Sequence, residues 1–68
     1  MKVRVRFLPE GREAEVELEE GARVADLLAR LGLDRESHVV MAGGRPLTED
    51  ERVPGEVVVV RVLSGGQV

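Results

Sequence analysis

The chain reads as an α+β domain, a mixed four- to five-stranded sheet with one helix packed on one face. Three observations predict it. Two segments of alternating hydrophobicity flank a Pro/Gly turn near the start, one segment carries apolar residues at helical spacing, and a valine-rich run lies near the end. Sixty-eight residues make one domain. At about this size folding buries only about 60% of the unfolded chain's surface.

Lys2 to Leu8 alternates, with Val3, Val5 and Phe7 on one face and Arg4 and Arg6 on the other. Period two marks a half-buried strand. Pro9-Glu10-Gly11-Arg12 is a turn. Ala14 to Glu19 alternates again, Val16 and Leu18 inward and the glutamates outward, so the pair reads as a β-hairpin. Val24, Leu27, Leu28 and Leu31 recur at i, i+3, i+4 and i+7, the stripe of an amphipathic helix. That helix is predicted over about 23–31. Asp26 sits in the first turn, where the dipole favours an anion, and Arg30 in the last. Gly32 suits the C′ position. No Ser, Thr, Asn or Asp caps the start, and Gly21 is a weak substitute.

Leu33 to Ser37 is a connecting loop. His38 to Ala42 is a short apolar strand, followed by a Gly43-Gly44 turn. Arg45-Pro46-Leu47 is at most a short edge strand, because proline donates no ladder hydrogen bond. Thr48 to Gly55 is a polar, acidic loop with room for one helical turn. Val57 to Leu63 is the strongest strand. An outward Arg61 would place Val58, Val60 and Val62 in the core. The unbroken valine run also suits a central strand covered on both sides. The first and last strands are the natural central pair, and the lone helix must bury its stripe against the sheet. The order ββαβ(β)β is a β-grasp architecture over 1–63, with 64–68 a flexible diglycine tail.

Composition excludes several functions. With no cysteine there is no disulfide, thiolate metal site or cysteine nucleophile. One histidine builds no metal cluster. Net charge is −3 and Phe7 is the only aromatic, which argues against direct nucleic-acid binding by charge or by stacking. No apolar run is long enough to span a membrane, and the first residues are not a signal peptide, so a cytoplasmic monomer is expected. Asn, Ile and Tyr are absent, and arginine outnumbers lysine nine to one. A GC-rich genome explains this bias, and so does a thermophilic source.

Gly65-Gly66, just past the last strand, is the most informative feature. A side-chain-free segment can lie extended in a narrow channel and bring a backbone carboxylate to a reactive phosphate. A carrier whose chemistry occurs on its own tail needs this. Gln67 and Val68 follow, so the Gly66 carboxylate must first be released from them.

Val24-Ala25-Asp26-Leu27-Leu28, Gly44-Arg45-Pro46-Leu47 with Glu49-Asp50, and Val59-Val60-Arg61-Val62-Leu63-Ser64-Gly65-Gly66 together resemble the ubiquitin-like β-grasp sulfur carriers and modifiers. The resemblance spans nearly the whole chain. It is nearest to the small archaeal ubiquitin-like modifiers and bacterial tRNA-thiolation carriers, with ThiS and MoaD as wider relatives. It implies an E1-like adenylating enzyme that uses ATP to activate the terminal glycine carboxylate. The acyl-adenylate then becomes a thiocarboxylate, through a sulfurtransferase partner, or an isopeptide on a conjugation target. The chain itself is not an enzyme and binds no stable cofactor or metal. The family pattern ends at the second glycine. The ubiquitin resemblance therefore implies a JAMM-type processing protease.

The expected terminus is Gly65-Gly66, with Gly66 activated. Arg4, Arg6 and Arg61 are expected on the outer sheet face, joined by Val40 and Leu63, as a docking patch; an ordinary solvated face is the competing reading. Glu49-Asp50-Glu51 reads as a soluble loop, with electrostatic steering the minority view. His38 reads as structural. Lys2 is the sole lysine, so self-conjugation could use only Lys2 or the N-terminal amine. The plainer reading, preferred on sequence grounds, is arginine in place of lysine throughout. A noncovalent β-grasp adaptor or a TGS-like binding module is the alternative to tail chemistry.

Overall fold

The computed structural model describes residues 1–62, and Leu63 to Val68 lie outside the described residues. Its elements are β1 (Lys2–Leu8), β2 (Arg12–Glu17), α1 (Val24–Leu31), β3 (His38–Ala42), β4 (Arg45–Pro46) and β5 (Glu56–Arg61). The strands form one sheet in the order β2-β1-β5-β3-β4. β1 and β5 are parallel at the centre and every other pairing is antiparallel. This is the β-grasp arrangement, with the two strands expected at the centre found there.

The helix starts on an unforeseen cap. The Asp26 carboxylate, at the third helical position, reaches back to accept the Arg23 backbone N–H at 2.9 Å, the half of a capping box that needs no Ser or Thr. Gly32 closes the helix in the left-handed region at φ 70°, a conformation that costs a Cβ-bearing residue more. Val24, Leu27 and Leu28 face the sheet and are buried. They meet Val3, Val5 and Phe7 of β1 and Val57 and Val59 of β5 in one core. Fully burying each such side chain contributes roughly 1.5–3 kcal/mol.

The inward set of the valine run differs from the expectation. Val57 and Val59 are 1% exposed, whereas Val58 and Val60 are only half-buried and Val62 is 43% exposed. Register decides this. Val57 lies beside Val5 and Val59 beside Phe7 in the parallel ladder, so they share the helix-facing side. Arg61 escapes burial although it has the same parity, because it lies at the end of β5 opposite His38, at the start of β3.

The loop between β4 and β5 holds turns and bends and no helical turn. It nonetheless supplies a core residue. Val53 is 4% exposed, and its N–H donates to Ala22 O at 2.9 Å. The same loop accepts the Val24 and Ala25 N–H groups on Glu51 O and Glu49 O. Those are first-turn donors that no intrahelical carbonyl can take. Glu51 also receives Arg45 at 2.9 Å and the Thr48 N–H at 3.0 Å. These bonds pull its carboxyl down to about 2.

Candidate conjugation terminus and docking face

β5 delivers the chain to one end of the sheet. Its last residues are tied on the β3 side: Arg61 pairs with His38, and the Val62 N–H donates to Ser37 O at 2.8 Å. His38 helps hold that corner, since its Nδ1 lies 2.9 Å from Asp34 O. This agrees with a structural role for the only histidine. The expected chemical residues, Gly65 and Gly66, and the docking residue Leu63 lie outside the described residues. The geometry establishes the root from which they leave. That root is Val62, beyond the last strand pair and at the Leu8 end of β1.

The sheet face opposite α1 is divided in two along the strands. Near the tail root, Leu8, Val39, Val58, Val60 and Met41 share the outer side, as the pairings Leu8 with Val60, Val39 with Val60 and Met41 with Val58 require. Leu8 is 37% exposed and the rest are half-buried. The other half is a charge lattice. Arg6 pairs with Glu13 at 3.2 Å, and Arg4 with Glu56 at 3.9 Å. A shallow cavity of about 310 Å³ lies at the boundary, touching Arg4, Arg6, Met41 and Val58.

The expected docking set is therefore partly redistributed. Arg4 and Arg6 do share the outer face. Val40 does not: it is 2% exposed and packs in the core, because it pairs with inward Val59. Arg61 has the helix-side parity and does not join Arg4 and Arg6. Sequence reading missed Val39, Met41, Val58, Val60 and Leu8. Leu8 carried the available signal, since it continues the outward parity of Arg4 and Arg6 as an apolar residue. The valine run carried none, being apolar on both sides.

Among the described residues no group of three or more His, Asp or Glu is placed to hold a metal. Their titratable groups show only surface pairings. The Glu17 carboxyl is lowered by the hydrogen bond and charge of the Met1 ammonium, and Arg45 is raised by Glu51. No helix is long and apolar enough to cross a membrane. The arrangement can present an apolar surface and a tail root side by side.

Comparison with known proteins agrees with this form. Caldiarchaeum subterraneum ubiquitin superposes with a TM-score of 0.71 over 97% of this chain and 98% of that one, at 20% identity, which speaks to fold. A protein of Archaeoglobus fulgidus, described as uncharacterized, is 40% identical over 68 residues, 97% of this chain and 100% of its own. Residues 1–63 match the family described as small archaeal modifier protein 2. The chain thus belongs to the small archaeal modifier protein 2 family, and it is a ubiquitin-like modifier on a β-grasp scaffold.

Proposed function

We propose that this modifier works through the Gly66 carboxylate. Hydrolysis of the Gly66–Gln67 bond, by a processing protease of the JAMM type, frees that carboxylate. An E1-like enzyme then binds the domain, and the carboxylate oxygen attacks the α-phosphate of ATP, releasing pyrophosphate. The resulting acyl-adenylate is a mixed anhydride open to a nucleophile. The terminal sulfur of a sulfurtransferase persulfide would displace AMP to give an acyl disulfide, which a thiol then cleaves to the thiocarboxylate with a disulfide as co-product; a lysine amine would displace AMP to give an isopeptide. Positioning supplies the rate, and the partner supplies the catalytic groups.

One observation carries the reading. The family match runs to residue 63, and Ser64-Gly65-Gly66 follows it directly in the sequence. The last described tie of the body to this segment is the Val62 N–H. The apolar strip of Leu8, Val39, Val58 and Val60 beside that root supports docking of the activating enzyme there, with Arg4 and Arg6 at the rim. Such strips beside charged rims favour partner surfaces.

Intact-mass spectrometry of the protein from the cells that make it tests the reading. A species ending at Gly66, and a thiocarboxylate or conjugated form of it, is expected. A protein that retains Val68 while fully active would overturn it. In that case a truncation after Leu63 that keeps partner binding and function would identify a noncovalent adaptor.

A further inference from the structure

The two edges of the sheet differ. β4 is two residues long, and Pro46 in it has no N–H to offer. β2 is six residues long and, among the described residues, pairs with β1 alone. The phase of its ladder is set at one end, where Met1 and Leu18 exchange both backbone bonds, at 2.6 and 2.8 Å. Antiparallel pairs alternate between bonded and non-bonded, so Val16, Ala14 and Arg12 are bonded to β1 as well. Glu13, Glu15 and Glu17 are not. In agreement, the N–H of Arg4, opposite Glu15, donates to Gly55 O at 2.9 Å, away from β2. The backbone N–H and C=O groups of the three glutamates therefore point off the sheet and form an open edge.

The same three residues carry their side chains on the outer face, because they lie opposite Lys2, Arg4 and Arg6. Glu13 meets Arg6 and Glu17 meets the Met1 ammonium, yet both side chains remain more than half exposed. Glu15 makes no ion pair among the described residues. Glu19 and Glu20 prolong the acidic row past the strand. Arg12 is the one cation within β2, and its guanidinium lies 4.8 Å from the centre of the Phe7 ring. On the helix side Ala14 and Val16 form a short apolar row, since they lie opposite Val5 and Val3. A groove of about 540 Å³ continues it between the end of β2 and α1, touching Leu18, Ala22 and Ala29 as well as Glu19, Glu20 and Asp26.

We propose that the β2 edge binds an extended partner segment in which lysine or arginine alternates with apolar residues. The segment adds a strand beside β2. Its backbone takes the open N–H and C=O groups of Glu13, Glu15 and Glu17. Its cations lie on the outer face beside the three carboxylates, the pairing that β1 already makes on their other side. Its apolar residues lie beside Ala14 and Val16 and reach the groove at Leu18. Charge chooses between this partner and a second copy. Two β2 edges laid together would set one glutamate row against another, and like charges directly opposite are unfavourable. The edge is also separate from the tail, because β1 stands between β2 and β5. A segment bound there leaves Val62 uncovered, so a partner can hold this modifier whether its tail is free or joined to another protein. The inference does not depend on the tail chemistry.

Amide hydrogen exchange followed by NMR tests this residue by residue. The probe is a capped hexapeptide alternating arginine and valine, added to the whole protein. The Glu13, Glu15 and Glu17 amides should slow about tenfold with peptide at about ten times its dissociation constant. The Ala14 and Val16 amides, already bonded to β1, should not change. A glutamate–valine peptide of the same length should have no effect. Glu15→Arg should weaken binding of the arginine peptide about fivefold, by turning an attractive neighbour into a repulsive one. Glu15→Pro removes an edge donor and no ladder bond, so the domain should fold and the slowing at Glu13 and Glu17 should vanish. Retained slowing in that variant overturns the proposal, as does equal binding of the glutamate peptide. Binding that changes all β2 amides alike, or none, also overturns it. No binding at all would leave the glutamates as guards of an edge against aggregation, with no partner. Slowing of the three amides that grows with protein concentration and needs no peptide would identify a second copy as the occupant and overturn the cationic assignment.

Discussion

The two faces of the sheet share the valines of one run and do different work. The helix-facing side holds Val3, Val5, Phe7, Val57 and Val59 under Leu27, all at or below 9% exposure. The outer side holds Leu8, Val39, Val58 and Val60, half-buried or exposed, and then a lattice of arginine and glutamate. Chemistry alone does not distinguish Val59 from Val60. What differs is the neighbour each meets. The inner side is covered by α1 and supplies stability. The outer side keeps apolar surface open beside the tail root, where the proposed partner would cover it.

This contrast can be broken most forcefully from inside. Leu27 is fully buried, and Leu27→Ala should cost about 2–5 kcal/mol. That is a large share of the stability of a domain this small, and denaturant unfolding should show it as a lowered midpoint. The adjacent valines sharpen the comparison. Val59→Ala should cost roughly 1.5–3 kcal/mol by lost burial. Val60→Ala should cost less than about 1 kcal/mol, in keeping with its half-buried position. Equal losses at the two positions would show that the outer strip is as stabilising as the core.

Leu8→Glu reverses the emphasis. It places a charge on the open strip and should leave the unfolding midpoint within about 0.5 kcal/mol of the parent. Its formation of Gly66 acyl-adenylate or thiocarboxylate with the activating enzyme should fall, at raised KM. Normal activation by this variant would remove the strip from the docking surface. Gly66→Ala, by contrast, should impair activation through the tail itself without weakening enzyme binding.

The smallest expected effect lies in the Arg45–Glu51 corner beneath the helix start. Glu51 is held at about 2 in the folded protein, against an ordinary 4.5. A depressed folded value favours the native state above the unfolded value. Stability from this corner is thus present above about pH 4.5 and is lost as pH falls from there toward 2. Glu51→Gln should lower the midpoint at pH 7, with the difference shrinking across that acid range. A difference that persists unchanged at pH 2 would show that the carboxylate charge contributes nothing. Both partners reach solvent, Arg45 at 64% and Glu51 at 31% side-chain exposure, so salt should weaken the effect.

Much of this architecture is legible locally. Period-two alternation exposes β1, β2 and the outward arginines, because each side chain type is repeated on its own face. The stripe from Val24 to Leu31 exposes α1, and Gly32 its end. Gly65-Gly66 exposes the segment that conjugation would use, although the structure describes only the root at Val62. The helix start is less legible. Asp26 was visible as a favourable anion, but its bond to the Arg23 N–H depends on a turn that no single residue announces.

By itself the sequence determined the element order, the turns, the central pairing of the first and last strands and the absence of cysteine chemistry, since these follow from side-chain type and short-range geometry. Tertiary structure alone decided which valines of Val57 to Val60 face the helix, that Val40 is core, that Arg61 leaves the outer face and that Val53 seals the loop. An apolar run has no polar partner to mark its outward side. Its orientation is set by register against β1 and β3, across residues distant in the chain.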